Sequence, residues 1–388
     1  MIKKIVLATL TIVNLFGVSQ FESSQTCKVC HPVIYEEHFS SQHSKASIYK
    51  DPVHKAIWDK HPAKAKEKYK CAKCHTPNDK KIITALKDGG SALPEKNKAQ
   101  LEGVSCTSCH NIKNVEHHAK ANKNIITPSK KKLFAARASE RDNADKSYKT
   151  KSSWFGMVNE KSGSPFHDID FTNDNFYNGN VCTGCHSHKQ NNHQFDICNM
   201  DLDKNKNSEK ENCITCHMPK VQGSFSTLMN SATHRYHGFT GSIHKPDMLS
   251  KYVDLKLKKT ANGFDIIITN NANHDLLLHP LRVGELQVNI KRDSKTINLT
   301  PVKFTRVIGK DDKPSMPWVA DMVVKDNQIK AKEARVVHFK EKLISGDSVE
   351  IKLGHHIVNP KAAKKLGLDT HKNLTKFTLF KQENVTIE

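Results

Sequence analysis

Over the last third of the chain, hydrophobic and polar residues alternate in short runs. They are "YVDLKLKK" from Tyr252, "FDIIITN" from Phe264, "ELQVNIKR" from Glu285, "VVHFKEKL" from Val336, "SVEIKL" from Ser348 and "TKFTLFK" from Thr375. Successive side chains of a strand point to opposite faces, so a period of two predicts half-buried antiparallel strands. Turn signals separate the runs, notably "ANGF" at Ala261 to Phe264, as hairpins require. Six to eight such strands over about 138 residues predict a β-sandwich of immunoglobulin-like type. Its boundary falls near Leu249 to Tyr252.

The preceding residues have a different texture. "VIYEEHFSSQHSKASIYK" from Val33 and "AKAKEKYK" from Ala63 are the clearest helical patches, set among long irregular stretches. The tract "DLDKNKNSEKEN", Asp201 to Asn212, reads as a surface loop. At the start, Lys3 and Lys4 precede an apolar run from Ile5 to about Val18, with small residues Gly17 and Ser19 where cleavage would fall. That is the pattern of a secretory signal peptide; an uncleaved anchor is the alternative, and the run is short of the ~20 apolar residues that span a bilayer. The expected product is exported to the periplasm. The expected architecture is α + β with two domains: residues 1–19 a leader, 20–250 a helical and loop-rich domain, and 251–388 the antiparallel β-sandwich.

Composition changes this picture. Only 37% of the residues are hydrophobic, against 26% charged and 7% aromatic, which is lean if side chains alone must fill two interiors. The cysteines supply an answer. C-x-x-C-H occurs at Cys27/Cys30/His31, Cys71/Cys74/His75, Cys106/Cys109/His110, Cys182/Cys185/His186 and Cys213/Cys216/His217, using ten of eleven cysteines. Chance would supply roughly 0.02 copies of a pattern read as c-type haem attachment. Two cysteines at this spacing sit one turn apart, where their sulfurs can add to the two vinyl groups on one porphyrin edge. The following imidazole then falls beneath the iron as its proximal ligand. Zinc takes cysteine pairs in pairs, and an odd number of C-x-x-C units leaves one unmatched. Neither zinc nor disulfides explain a histidine at the same offset five times. The motifs therefore predict five covalently bound haem c groups, whose apolar faces would stand in for the missing side-chain core. Cys198 belongs to no motif and is read as a free or buried thiol.

Charge narrows the partners. The formal net charge is +21; without the leader it is about +19, and ten haem propionates would bring it near +9. A basic exported haem protein suits redox partners with acidic docking surfaces and peripheral association with a quinol-oxidising membrane complex, and not nucleic acid. From Lys113 to Lys151 there are eleven Lys/Arg against four Asp/Glu, including "SKKK" at Ser129 to Lys132; this is either a solvated loop or a docking surface.

The sixth ligand of each iron decides between carrying electrons and doing chemistry. Twelve non-motif histidines lie before residue 250: His38, His43, His54, His61, His117, His118, His167, His188, His193, His234, His237 and His244. His38 and His188 are too near their own motifs to reach the opposite face of the same haem. Distal ligands must come from elsewhere in the chain, which would cross-link the haems and pack them closely. The six histidines of the β region are read as surface or structural.

The words "CKVCHPVIYEEHFSSQHSKA", "YKCAKCHTP" and "GVSCTSCHNI", in that order, resemble the start of the multihaem cytochromes c typified by the tetrahaem electron acceptor of hydroxylamine oxidoreductase. "SPFHDID", "CHMP" and "HRYHGFTG" look like later pieces of the wider family, so the resemblance covers about residues 25–250. It implies that His43 caps the haem bound through His110, and that His117 or His118 caps the one bound through His31. It implies that the His75 haem lacks a protein sixth ligand, unless His167 fills that face as in longer relatives. It assigns His237, with His234 as alternate, to the fourth or fifth haem. The chain departs from the tetrahaem pattern by its fifth motif and its β domain, and lacks the C-x-x-C-K site that resembles the catalytic haem of pentahaem nitrite reductases.

Two functions fit. The leading one is an exported pentahaem cytochrome relaying electrons between a respiratory donor and a terminal reductase or oxidase, with no catalytic residues of its own. The other is an oxidoreductase acting on a small nitrogen or sulfur species at one five-coordinate haem. In a third reading, the β domain docks or polymerises the protein into an extracellular conductive assembly.

Overall fold

The computed structural model describes residues 21–127, 132–137, 149–152, 159–162, 167–199, 211–227 and 231–388. The expected leader, most of the "SKKK" segment and nearly all of the Asp201–Asn212 tract lie outside them.

The alternating runs fold as strands. We number them β1 (Val253–Thr260), β2 (Gly263–Asn270), β3 (Val283–Arg292), β4 (Lys295–Asn298), β5 (Val302–Phe304), β6 (Ala334–Phe339), β7 (Ser348–His356) and β8 (Thr378–Thr386). One sheet has the order β1-β2-β6 and the other β4-β3-β7-β8, with β5 also beside β3; all pairs are antiparallel. Period two sets which residues meet between the sheets. Phe264, Ile266 and Ile268 of β2 are fully buried with Leu286, Val288 and Ile290 of β3 and Val349, Ile351 and Leu353 of β7. The intervening polar residues face out, as half-buried strands require. At the β1–β2 turn, Gly263 has φ +144, and a Cβ there would overlap the Phe339 carbonyl oxygen. Only glycine tolerates that approach. A separate ribbon, Arg306–Lys310, Lys313–Pro314 and Met322–Asp326, was not signalled by alternation.

The first half has short helices: Ser24–Lys28, Pro32–Ser40, Pro52–Asp59, Ala72–His75, Lys80–Lys87, Lys98–Glu102, Cys106–His110 and Cys213–His217. The helix expected after the first motif forms. Its Pro32 sits at the first turn, where proline's fixed φ is preorganised and its missing N–H costs nothing. The one expected over "AKAKEKYK" does not form: residues 62–67 are turns, Glu67 sits at φ +52, and Lys68 makes an isolated parallel bridge to Ala92. Five basic or acidic side chains in eight residues leave little to bury except Tyr69, which anchors a small cluster with Ile48, Trp58, Ala72 and Ile82. No helix among the described residues is long and apolar enough to cross a membrane.

The halves are joined by packing. Ala56 of the Pro52–Asp59 helix shares a buried cluster with Val358, Ala363 and Leu368. The β2–β3 connection, residues 271–282, also returns toward the first half, and its consequences appear at the site.

Candidate haem sites

Each C-x-x-C-H forms one helical turn. The histidine amide donates to the carbonyl of the first cysteine at 2.8 Å for His31/Cys27, 2.9 Å for His75/Cys71 and 2.9 Å for His186/Cys182. Capping boxes start the third and fifth turns. Ser105 caps Cys106–His110, and Asn212 accepts from Ile214 and Thr215. Such caps satisfy amides that a one-turn helix leaves orphaned.

The motif side chains converge on one cavity of about 1350 Å³, walled by His31, His75, His110, His186 and His217 and by cysteines of all five motifs. A pocket for a single small ligand holds about 300–1,000 Å³, so this space suits several groups. The thiols abut across motifs. All are free, and the thiols of Cys27 and Cys106, of Cys74 and Cys185, and of Cys182 and Cys213 lie within hydrogen-bonding reach of one another. The first site thus adjoins the third, and the fourth adjoins both the second and the fifth.

The imidazoles fit iron. Nδ1 of His31 bonds the Phe225 carbonyl at 2.7 Å, that of His75 the Ala46 carbonyl at 3.2 Å, that of His110 the Phe134 carbonyl at 2.7 Å and that of His217 the Thr240 carbonyl at 2.6 Å. A ring that donates through Nδ1 keeps a lone pair on Nε2 for a metal, and its carbonyl partner fixes ring orientation. Burial pushes the pKa of His75 down to about 3 and also lowers those of His110, His186 and His217. The neutral form is the one that binds metal.

Across the cavity stand further rings. A metal–imidazole bond is about 2 Å long and a ring centroid lies about 1 Å behind its nitrogen, so two imidazoles on one iron are roughly 6 Å apart. His31 and His167 have centroids 6.3 Å apart, His110 and His237 6.3 Å, His217 and His274 6.0 Å, and His186 and His43 5.7 Å. Burial pushes His43 and His237 down to about 3 and His167 to about 4. Among the described residues, no ring faces His75 at such a distance. Its neighbour His54, with centroids 4.0 Å apart, bonds the same Ala46 carbonyl (2.9 Å) and so stands beside His75.

Several expected pairings therefore change. His43 faces His186, not His110. His167 faces His31, not His75. His237 faces His110, in the third site, and not the fourth or fifth. His118 is half exposed, with its ring 3.6 Å from Glu116, and the imidazole facing His31 is that of His167; the His117 ring is tilted against that of His188, centroids 5.3 Å apart. His234, the alternate to His237, has both nitrogens engaged, Nδ1 by the Gly223 carbonyl (2.9 Å) and Nε2 by Glu37 (3.0 Å). Glu37 also accepts from the His237 amide at 2.9 Å, which positions that ring. Sequence spacing cannot decide which distant ring crosses a cavity. Sequence reasoning also missed His274. It lies in "NANHDLLLHPLR", Asn271 to Arg282, where the β alternation lapses. That lapse, with two histidines inside it, was the available signal. The same stretch brings His279 and Arg282 to the cavity wall, so the β-region histidines are not all surface residues.

The fold is shared with a protein of known structure. A penta-heme cytochrome c552 from Thermochromatium tepidum, known from its crystal structure, is similar in fold, with a TM-score of 0.70 at 21% identity over 95% of this chain and 99% of that one. No curated protein matches. The fold and the motifs support a multihaem cytochrome c with covalently bound haem c, a class whose members suggest electron transfer. Within that class, residues 26–111 match the family described as cytochrome c554 and c-prime.

Proposed function

We propose that this chain is an exported pentahaem c-type cytochrome that relays electrons between a respiratory donor and a terminal reductase or oxidase. The observation that carries the reading is the set of four imidazole pairs, 5.7–6.3 Å apart, on sites whose thiols touch. The ligand sets are His31/His167, His110/His237, His186/His43 and His217/His274, with His75 binding the remaining iron from one side. Haem iron supplies reversible one-electron transfer, its potential tuned by ligands and burial. Burial favours the neutral form of His43, His75, His110, His167, His186, His217 and His237, backbone carbonyls orient the rings of His31, His75, His110 and His217, and neighbouring sites lie in contact. The Lys3–Val18 pattern supports export to the periplasm. The formal charge of +21 supports acidic redox partners, including a quinol-oxidising complex, whose association would slow with added salt. We read the β domain as immunoglobulin-like, on the strand orders β1-β2-β6 and β4-β3-β7-β8.

A second reading rests on the unpaired ring. With one protein ligand, the His75 iron could take a small nitrogen or sulfur species, making the protein an oxidoreductase at that site. Intact mass and ferric EPR test both parts. The expected result is five attached haems, four low-spin and one high-spin. His274→Ala should add a second high-spin haem, and His118→Ala should change nothing. Fewer than five tetrapyrroles would overturn the relay as drawn, and five low-spin haems would overturn the second reading.

A further inference from the structure

Leu281 of the β2–β3 connection packs with Val53 against the cluster that holds Ala56 of the Pro52–Asp59 helix, and His54 of that helix stands beside His75, so this connection meets the cavity close to the second motif. His274 resembles the motif histidines in that its Nδ1 bonds a carbonyl, that of Asp275, at 2.8 Å. His279 is the reverse. The Leu281 amide donates to its Nδ1 at 3.2 Å, so the ring proton sits on Nε2, and that nitrogen is a hydrogen-bond donor and not a metal ligand. His279 lies within electrostatic reach of both His75 and Arg282. The Arg282 amide donates to the His279 carbonyl at 2.9 Å, and the Asn359 amide to the Leu281 carbonyl at 2.6 Å. This tight turn is thereby pinned to the β domain and carries both side chains on the cavity wall.

The Arg282 guanidinium lines the cavity without a hydrogen bond or ion pair to any described residue. Cys198, Asp51, His186, His279 and His355 lie within electrostatic reach of it, and Asp51 Oδ1, the carboxylate among them, already accepts from the amides of Val53 (2.9 Å) and His54 (3.2 Å). A guanidinium withdrawn from water without a counter-ion is costly, and its planar fork matches an oxyanion.

We propose that the β2–β3 loop completes a binding site for a small oxyanion at the His75 haem, with Arg282 as its counter-charge and His279 Nε2 as its hydrogen-bond donor. This rests on the second reading above, that the His75 iron is open on one face. The same guanidinium chemistry could instead be satisfied by a haem propionate.

Full-length ferric holoprotein titrated with sodium nitrite, followed by the high-spin EPR signal, tests the site. Carbon monoxide binding to the reduced protein serves as the neutral control. Wild type should bind both. Arg282→Gln should weaken nitrite at least tenfold and His279→Gln several-fold, with carbon monoxide affinity and haem count unchanged. Arg282→Lys, which keeps the charge, should recover part of the loss and guards against a variant that merely misfolds. If carbon monoxide does not bind wild type, the open face itself is wrong. If it binds but Arg282→Gln leaves nitrite affinity unaltered, the oxyanion site is overturned. A shifted haem midpoint potential in that same variant would then assign the arginine to a propionate.

Discussion

From Val253 onward, fourteen buried apolar side chains form one continuous core between two sheets. In the first half, the cluster around Tyr69 has five members, and the space a core would occupy is a cavity of about 1350 Å³ ringed by cysteine and histidine. One chain has thus built two interiors from different materials. In the β region, burial of aliphatic area at roughly 25 cal/mol per Å² supplies the driving force. In the first half, covalently attached macrocycles take that part, and the polypeptide supplies short capped turns and ring-orienting carbonyls. The β region also gives its neighbour a loop carrying His274, His279 and Arg282, so the self-sufficient half completes the dependent one.

The largest test of this contrast is protein made without haem attachment, by changing the cysteines of all five motifs to serine. Limited proteolysis should digest the first half while a fragment of about Val253 to Glu388 resists. Resistance of the whole chain would show that side chains suffice. Next comes Ile268→Ala or Leu286→Ala, each at a fully buried position. Denaturation followed by circular dichroism should show a loss of about 2–5 kcal/mol, with the haem content unchanged from wild type. Gly263→Ala should cost about 1–3 kcal/mol, since the backbone there is strained for any Cβ; thermal melting of the holoprotein would show it.

The smallest effect is electrostatic. Arg292 bonds Asp347 through Nε and Nη2, each at 2.9 Å, and holds its carboxyl below the usual carboxylate range. The stability this contributes is complete above the unfolded carboxylate value of about 3.9 and is lost as pH falls through the lower folded value. Asp347→Asn should lower stability at neutral pH by about 1 kcal/mol or less, as for partly exposed pairs, and flatten the acid limb of a stability–pH curve. An unchanged acid limb would remove this pair from the account.

How much of this was legible beforehand differs between the halves for the same reason. All six alternating runs became strands, because period two is a local pattern that burial on one face enforces. The turns at the motifs were legible because C-x-x-C-H and its caps lie within six residues of each other. The failed helix over Ala63–Lys70 had favourable spacing but almost nothing to bury. His43, His167 and His237 were named as candidates, yet each faces a different motif from the one expected, and His274 was set aside as a β-region residue.

The sequence by itself determined the five C-x-x-C-H motifs, the alternation of the β region and the shortage of apolar residues before it, since each is written in neighbouring positions. Only the tertiary structure decided which imidazole crosses to which motif and that the β2–β3 loop enters the cavity. Those are contacts between residues tens to more than a hundred positions apart, and no local period or spacing encodes them.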